Sequence, residues 1–345
     1  MKNFFNRFEY KGTSLKVVEK RKIWFIIPIA IVVISMVMFG IYAIAGNSFG
    51  SGLNLGIDFT GGTILTVELG TLADGDAYTT NATALENVVK AKSMNVSYTQ
   101  VSGTGATKSI VLKYQGSMSE EDMSVANDDI RNSIQDLYPE IYSANSNFIS
   151  FEYIGATTSA DLISTAIISI LVAGALILLY IIIRFEIYSG ITAIIALLHD
   201  VIMIFAFTII AHVQINSTFI AVLITIIAYS INNTIVVFDR VRENLAATPV
   251  GNHMSYGTII NKAITETLGR SINTTITTLL TITVLAIISV STIRDFAILI
   301  IVGLVAGTFS SLCIAPSLYA LIRDKMYAKK NMNNNYVATP SSKKA

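Results

Sequence analysis

Six long apolar runs, near residues 23–45, 162–183, 190–211, 218–238, 271–290 and 296–322, fix the solvent of this chain before any motif is considered. A helix rising about 1.5 Å per residue crosses a hydrocarbon core in roughly 20 residues. Each run is long enough, and as a helix each pairs its own backbone groups, which lipid requires. Composition agrees: 52% of residues are hydrophobic and only 14% are charged, against about a quarter charged in soluble domains. The first run follows Lys16, Lys20, Arg21 and Lys22, as in a signal peptide, but it is too long for a signal-peptide core and reads as a retained first span.

Lys and Arg in the short connections set the orientation. They gather before the first run, at Arg184, in 240–262 and after 322, whereas loops 212–217 and 291–295 hold only Arg294. Both termini are therefore expected in the cytoplasm, and residues 46–159 outside. The outer stretch is of another kind. Residues 61–69 have β-branched strand character, and 82–94 carry Leu85, Val88 and Val89 at helical spacing. Two strand-like runs, 96–102 and 109–114, flank the turn formers at 102–105. Ser119 opens a helix bearing Val125, Ile130, Ile134 and Leu137, which Pro139 stops, and 148–153 closes the unit as a strand. The β-α-β-β-α-β order predicts an extracytoplasmic α+β, ferredoxin-like domain between the first and second spans of an integral membrane α-helical bundle of six transmembrane helices. Five spans then fill 160–323, and the tail from 324, rich in Asn, Lys and Ser, is expected to be disordered.

The same residues exclude several classes. A net charge of +1 offers no basic face for nucleic acid. Cys313 has neither a second cysteine nor neighbouring metal ligands. A Gly-rich phosphate loop and a nucleophile elbow are both missing, and the three histidines are scattered. No enzyme, metal or cofactor is expected.

Seven short signatures follow one another. They begin with Gly56-Ile57-Asp58-Phe59-Thr60-Gly61-Gly62-Thr63, Tyr180–Glu186 and Leu197-Leu198-His199-Asp200-Val201. Next come Tyr229-Ser230-Ile231-Asn232-Asn233-Thr234 running on to Asp239-Arg240-Val241-Arg242-Glu243-Asn244, then Thr267–Ile272, Arg294–Ala297 and Gly303–Ser311. In order and on the expected spans, they resemble the SecF protein-export family over most of the chain. The resemblance implies a bacterial plasma-membrane protein that pairs with a SecD-like subunit beside a SecYEG-type channel and uses the proton motive force. It further implies contact with a translocating secretory polypeptide and with membrane lipids, and kinship with the RND transporter superfamily. The family has Asn-Asp where this chain has Asn232-Asn233, and that aspartate is the family's presumed proton carrier, acting with an arginine corresponding to Arg270.

Side-chain chemistry adds its own expectations. Arg270, Thr274, Thr277, Thr278 and Thr281, with Asn273 beside them, form a polar stripe expected to face the bundle, although an arginine near a span end is also placed to snorkel. An amide cannot release a proton, so Asn233 can only hydrogen-bond. Asp200 is the remaining acid well inside a span, and it either lies on a proton or water path or binds His199 statically; the favoured alternative leaves all proton chemistry to the SecD-like partner, with this chain a passive half. Gly56, Asp58, Gly61 and Gly62 read as a tight junction between span and domain, and Gly303 with Gly307 as a close-packing helix face. Asp239, Arg240, Arg242 and Glu243 read either as a cytoplasmic boundary anchor or as a docking site, and 244–268 as a segment along the membrane surface. Two rival functions stand beside the family reading: half of an RND-type proton-driven exporter, or a structural translocon subunit that does not couple.

Overall fold

A computed structural model describes residues 14–45, 52–102, 108–115, 120–184, 186–248, 255–288 and 291–337. Ser119 and the turn at 103–105 lie outside these. Among the described residues, six helices are long and apolar enough to cross a membrane: α1 Arg21–Ala45, α6 Ala156–Arg184, α7 Ile187–Ile210, α8 Ser217–Ala246, α9 Tyr256–Ile288, and a composite of α10 Ser291–Phe309, a π-helical turn Ser310–Ile314 and α11 Ala315–Val337. A short helical turn, α2 Ile57–Thr60, leads from α1 into the sheet domain.

That domain contains β1 Gly62–Glu68, α3 Gly75–Lys90, β2 Asn95–Ser102, β3 Ser109–Gln115, α4 Glu120–Leu137, α5 Pro139–Ala144 and β4 Ile149–Ile154. The four strands form a small sheet in the order β2-β3-β1-β4, every neighbouring pair antiparallel. Because side chains alternate along a strand, Leu65, Val67, Ile110, Leu112 and Tyr114 share one face. They are buried with Leu85 and Val89 of α3 and Ile130 and Ile134 of α4. The α3 helix opens at Gly75 rather than at residue 82, because the Asp74 side chain accepts from the Gly75 amide and caps a polar first turn that apolar spacing does not register. Pro139 ends α4 as expected and starts α5.

In the bundle, α10 lies close against α8. A Cβ on Gly303 would sit 2.4 Å from the Ile226 side chain, and one on Gly307 would sit 3.1 Å from the Ser230 Cβ. The glycine spacing thus sets the helix approach it predicts.

Two boundaries differ from expectation. Residues 256–268 do not form a separate surface segment but continue α9 as one helix. Their buried side, including Ile260, Asn261 and Ile264, meets Val17 and Val18 of the N-terminal turn. There the Asn261 carboxamide oxygen accepts from the Val17 and Val18 amides, each at 3.0 Å. Polar residues ended the apolar run without ending the helix. Likewise α11 runs to Val337, where disorder was expected from residue 324; no Pro or Gly interrupts Ala320–Val337, so the span's helix propagates.

Candidate functional site

Asp200 is fully buried on α7. One carboxylate oxygen accepts from the Ser310 hydroxyl at 2.9 Å and, in a short contact, from the Ser230 hydroxyl. The other faces His199 Nδ1 at 2.9 Å. The site joins three spans: α7 supplies the acid and the imidazole, α8 one serine, and the π turn the other. A π turn inserts an extra residue into a helix and re-aims its side chains, which brings Ser310 onto the carboxylate. The glycine at 307 admits Ser230 from the far side.

Serine suits this position because a hydroxyl both donates and accepts. Around an ionised Asp200 both serines donate. Around a protonated one, either can turn and accept, and Ser310 already has the Gly307 carbonyl at 3.1 Å as a second acceptor. Both serine hydroxyls can thus keep a partner in either protonation state, while His199 Nε2 stays buried without one among the described residues.

Asn233 is also buried, 2% exposed, on the Ser230 side of α8. Its Nδ2 has no partner among the described residues, nor has the Ser271 hydroxyl. The Tyr229 hydroxyl donates to Thr275 at 2.9 Å, and Thr275 bonds Thr308 at 2.9 Å. One turn on from Tyr229 and one turn back from Thr275 lie Asn233 and Ser271, which therefore share a level on these adjacent helices.

The expected orientation of the Arg270 stripe requires correction. Arg270, Thr277 and Thr281 are exposed, and so are Asn232 and Thr225 on α8. The side of α9 turned to the bundle carries Ser271 and Thr275 instead. Periodicity places Arg270, Thr274 and Thr277 on one face but does not say what that face meets. Several of these threonines donate back to their own helix, among them Thr274 to the Arg270 carbonyl and Thr281 to the Thr277 carbonyl. The Arg270 guanidinium makes no hydrogen bond or ion pair among the described residues, to Asn233 or to any other.

The boundary residues form an internal network. Asp239 receives Arg184 and Arg242, each at 3.0 Å, and Arg240 reaches Glu266 at 2.7 Å and Glu243 at 2.6 Å. Asn244 adds a bond to Glu266 at 2.8 Å. Single exposed pairs contribute little, but two clusters, both built on α8, tie it to α6 through Arg184 and to α9 through Glu266 at this end.

At the opposite end the glycine motif grips the α7–α8 loop. The Gly56 amide donates to the Ile215 carbonyl at 2.7 Å and the Ile215 amide returns a bond to Asn54 at 3.0 Å. A Cβ on Gly56 would meet the Ile215 oxygen at 3.0 Å. The Asp58 carboxylate accepts from the Ser217 amide at 2.8 Å, at the first residue of α8. Beside it the Lys113 ammonium donates to Gln214 at 3.2 Å. Burial pushes this lysine below its ordinary range, while Asp58 and Asp295 pull the other way. Asp58 thus adds to the cap that Asn216 places on α8, by taking the Ser217 amide from 159 residues away in sequence. Replacing it by alanine is expected to cost about 1 kcal/mol, read as a lower Tm of the purified chain; an unchanged Tm would show that the cap carries no load.

Residues 134–325 match the family of the protein export membrane protein SecD/SecF C-terminal region, and residues 48–71 match the SecD/SecF GG motif. The chain belongs to the SecD/SecF protein-export family. It is 32% identical to the protein translocase subunit SecF of Sebaldella termitidis, over 93% of this chain and 96% of that one. It is also 32% identical to the SecF of Calditerrivibrio nitroreducens, over 90% and 95%. Among solved structures, SecDF from Thermus, described as a translocon-associated membrane protein, superposes with a TM-score of 0.68 at 26% identity over 91% of this chain. SecDF in a super-membrane-facing form gives 0.58 at 28% over 93%. The chain spans 39% and 40% of those two SecDF chains. Membership in SecD/SecF, with six membrane-length helices, makes this a multi-pass membrane protein of protein transport. Sequence reading identified Asp200 but missed its serines. Ser230 and Ser310 lie within quoted SecF-like signatures, and their small hydroxyls beside Asn232 and Gly307 were the available signal.

Proposed function

We propose that this chain is an accessory subunit of the Sec translocase, pairing with a SecD-like chain beside a SecYEG-type channel and drawing on the proton motive force to help secretory polypeptides across the plasma membrane. The observation that carries the pairing is the open polar side of α8 and α9. An arginine and an amide facing hydrocarbon are costly, so Arg270 and Asn232 call for a second half that supplies an acid. The SecF relatives and the SecDF neighbours support the same reading. Both termini lie in the cytoplasm, in keeping with the basic connections, and the sheet domain lies outside. Its strand order β2-β3-β1-β4 with two helices on one face supports a ferredoxin-like domain. Asp200 is the group of this chain that takes up and releases the proton, and Asn233, an amide that cannot titrate, stands where the family has its aspartate.

Purification in mild detergent tests the pairing. A SecD-like chain and the channel are expected to accompany this one; a solitary, transport-competent homo-oligomer would favour a proton-driven exporter instead. The non-coupling structural subunit is favoured by Asn233 alone and has its own test. Asn233→Asp is expected to raise proton-dependent export or leave it unchanged, measured with and without a protonophore. A loss would mean that the amide itself is required.

A further inference from the structure

Between α1, α7 and α10 lies an open groove of about 460 Å³, lined by Ile27, Pro28, Met203, Phe207, Val302 and Ala306 among others. Its one polar lining residue is His199, whose Nδ1 is taken by Asp200 and whose Nε2 is buried without a partner among the described residues. The groove therefore presents carbon only, at the depth of the spans. Such a wall takes a hydrocarbon chain and offers nothing to a polar headgroup.

The headgroup's place is set by α1. Ile27, Pro28 and Ile31 line the groove, Trp24 precedes them on the same face by helical spacing, and Lys20, the last residue of the turn before α1, and Arg21, the first of α1, are the basic residues nearest that side. Lys20 is exposed. Six residues separate Arg21, the first of α1, from Ile27, a helical rise of about 9 Å, the interval between a phosphate level and the start of an acyl chain. We propose that this groove binds one acyl chain of an anionic phospholipid, with its phosphate at Lys20 and Arg21. The inference stands apart from the transport reading and survives its failure.

Trp24 is the chain's single tryptophan. Its ring meets Phe309, another groove residue, edge-on at 6.0 Å, so it reports on the occupant. The full chain would be placed in nanodiscs containing increasing fractions of phosphatidylglycerol or phosphatidylcholine with brominated chains. Phosphatidylglycerol is expected to quench Trp24 at a mole fraction about fivefold lower, the factor that one basic side chain near a surface supplies. Ala306→Phe fills the groove and should abolish that preference while leaving the basic residues in place. Lys20→Gln with Arg21→Gln should abolish it while leaving the groove open. Should the filled variant misfold, native mass spectrometry of the unmodified chain serves in its place, with one retained phosphatidylglycerol expected. Equal quenching by both lipids, a preference unchanged by Ala306→Phe, or retention of neither lipid would overturn the proposal, leaving ordinary annular lipid or a protein partner as what covers this face.

Discussion

Asp200→Asn is expected to reduce export to its proton-independent background while leaving the helical bundle folded. The amide matches the carboxylate in shape, and its oxygen can still accept from Ser230 or Ser310. Either hydroxyl can turn to meet the new N–H. What vanishes is the only titrating group in the cluster apart from His199. Asp200→Leu should act differently. It removes the acceptor for two buried hydroxyls and for the imidazole, at about 1–3 kcal/mol for each group left unsatisfied, so stability falls together with export. Two measurements separate the cases: the Tm of the purified chain, and export with and without a protonophore. If Asp200→Asn kept full proton-dependent export, Asp200 would be a structural acid and the proton would pass through another chain.

The second large effect is expected at Gly62. Its φ is +142°, a region that side-chain-bearing residues rarely adopt, and a Cβ there would lie 2.5 Å from the Tyr114 carbonyl oxygen. That oxygen cannot retreat, because Thr63 and Tyr114 are partners in the β1–β3 ladder. Gly62→Ala therefore combines backbone strain with a clash against fixed backbone, each worth on the order of 1–3 kcal/mol. Gly75 provides the control. It also has a positive φ, +53°, but a Cβ there meets nothing within 4 Å, so Gly75→Ala should cost only about 1–2 kcal/mol for the left-handed conformation. Chemical unfolding of the two variants, read from the sheet domain, should place Gly62→Ala clearly below Gly75→Ala. Equal losses would mean that the β1–β3 junction yields more than its geometry allows.

What the sequence made legible follows from what hydropathy measures. Apolar runs report contact with lipid, so all six spans were readable. They do not report helix, so α8 was drawn short at residue 238 and α9 was begun late at residue 271. Among the polar residues of 256–268, Asn261 and Thr265 are buried and bonded to the N-terminal segment rather than immersed in lipid. Asp200 was visible because an acid inside an apolar run is conspicuous. Ser230 and Ser310 were not, since serine in a helix usually satisfies itself on its own backbone, and no local pattern announces a π turn. The Arg270 stripe was read correctly as a face and wrongly as an inward one, because periodicity has no knowledge of neighbours. The contact between Asp58 and Ser217 depends on how the chain returns across the membrane, and nothing near residue 58 encodes it.

That last contact has a mechanical meaning. Gly56 and Asp58 hold the α7–α8 loop and the first residue of α8, and Ser230 stands 13 residues further along the same rod, about 20 Å away at 1.5 Å per residue. A tilt of the sheet would therefore turn α8 about that end and shift the Ser230 hydroxyl relative to the Asp200 carboxylate. The helix would act as a lever arm, with force applied at its first residue and the Asp200 cluster opened or closed midway along it.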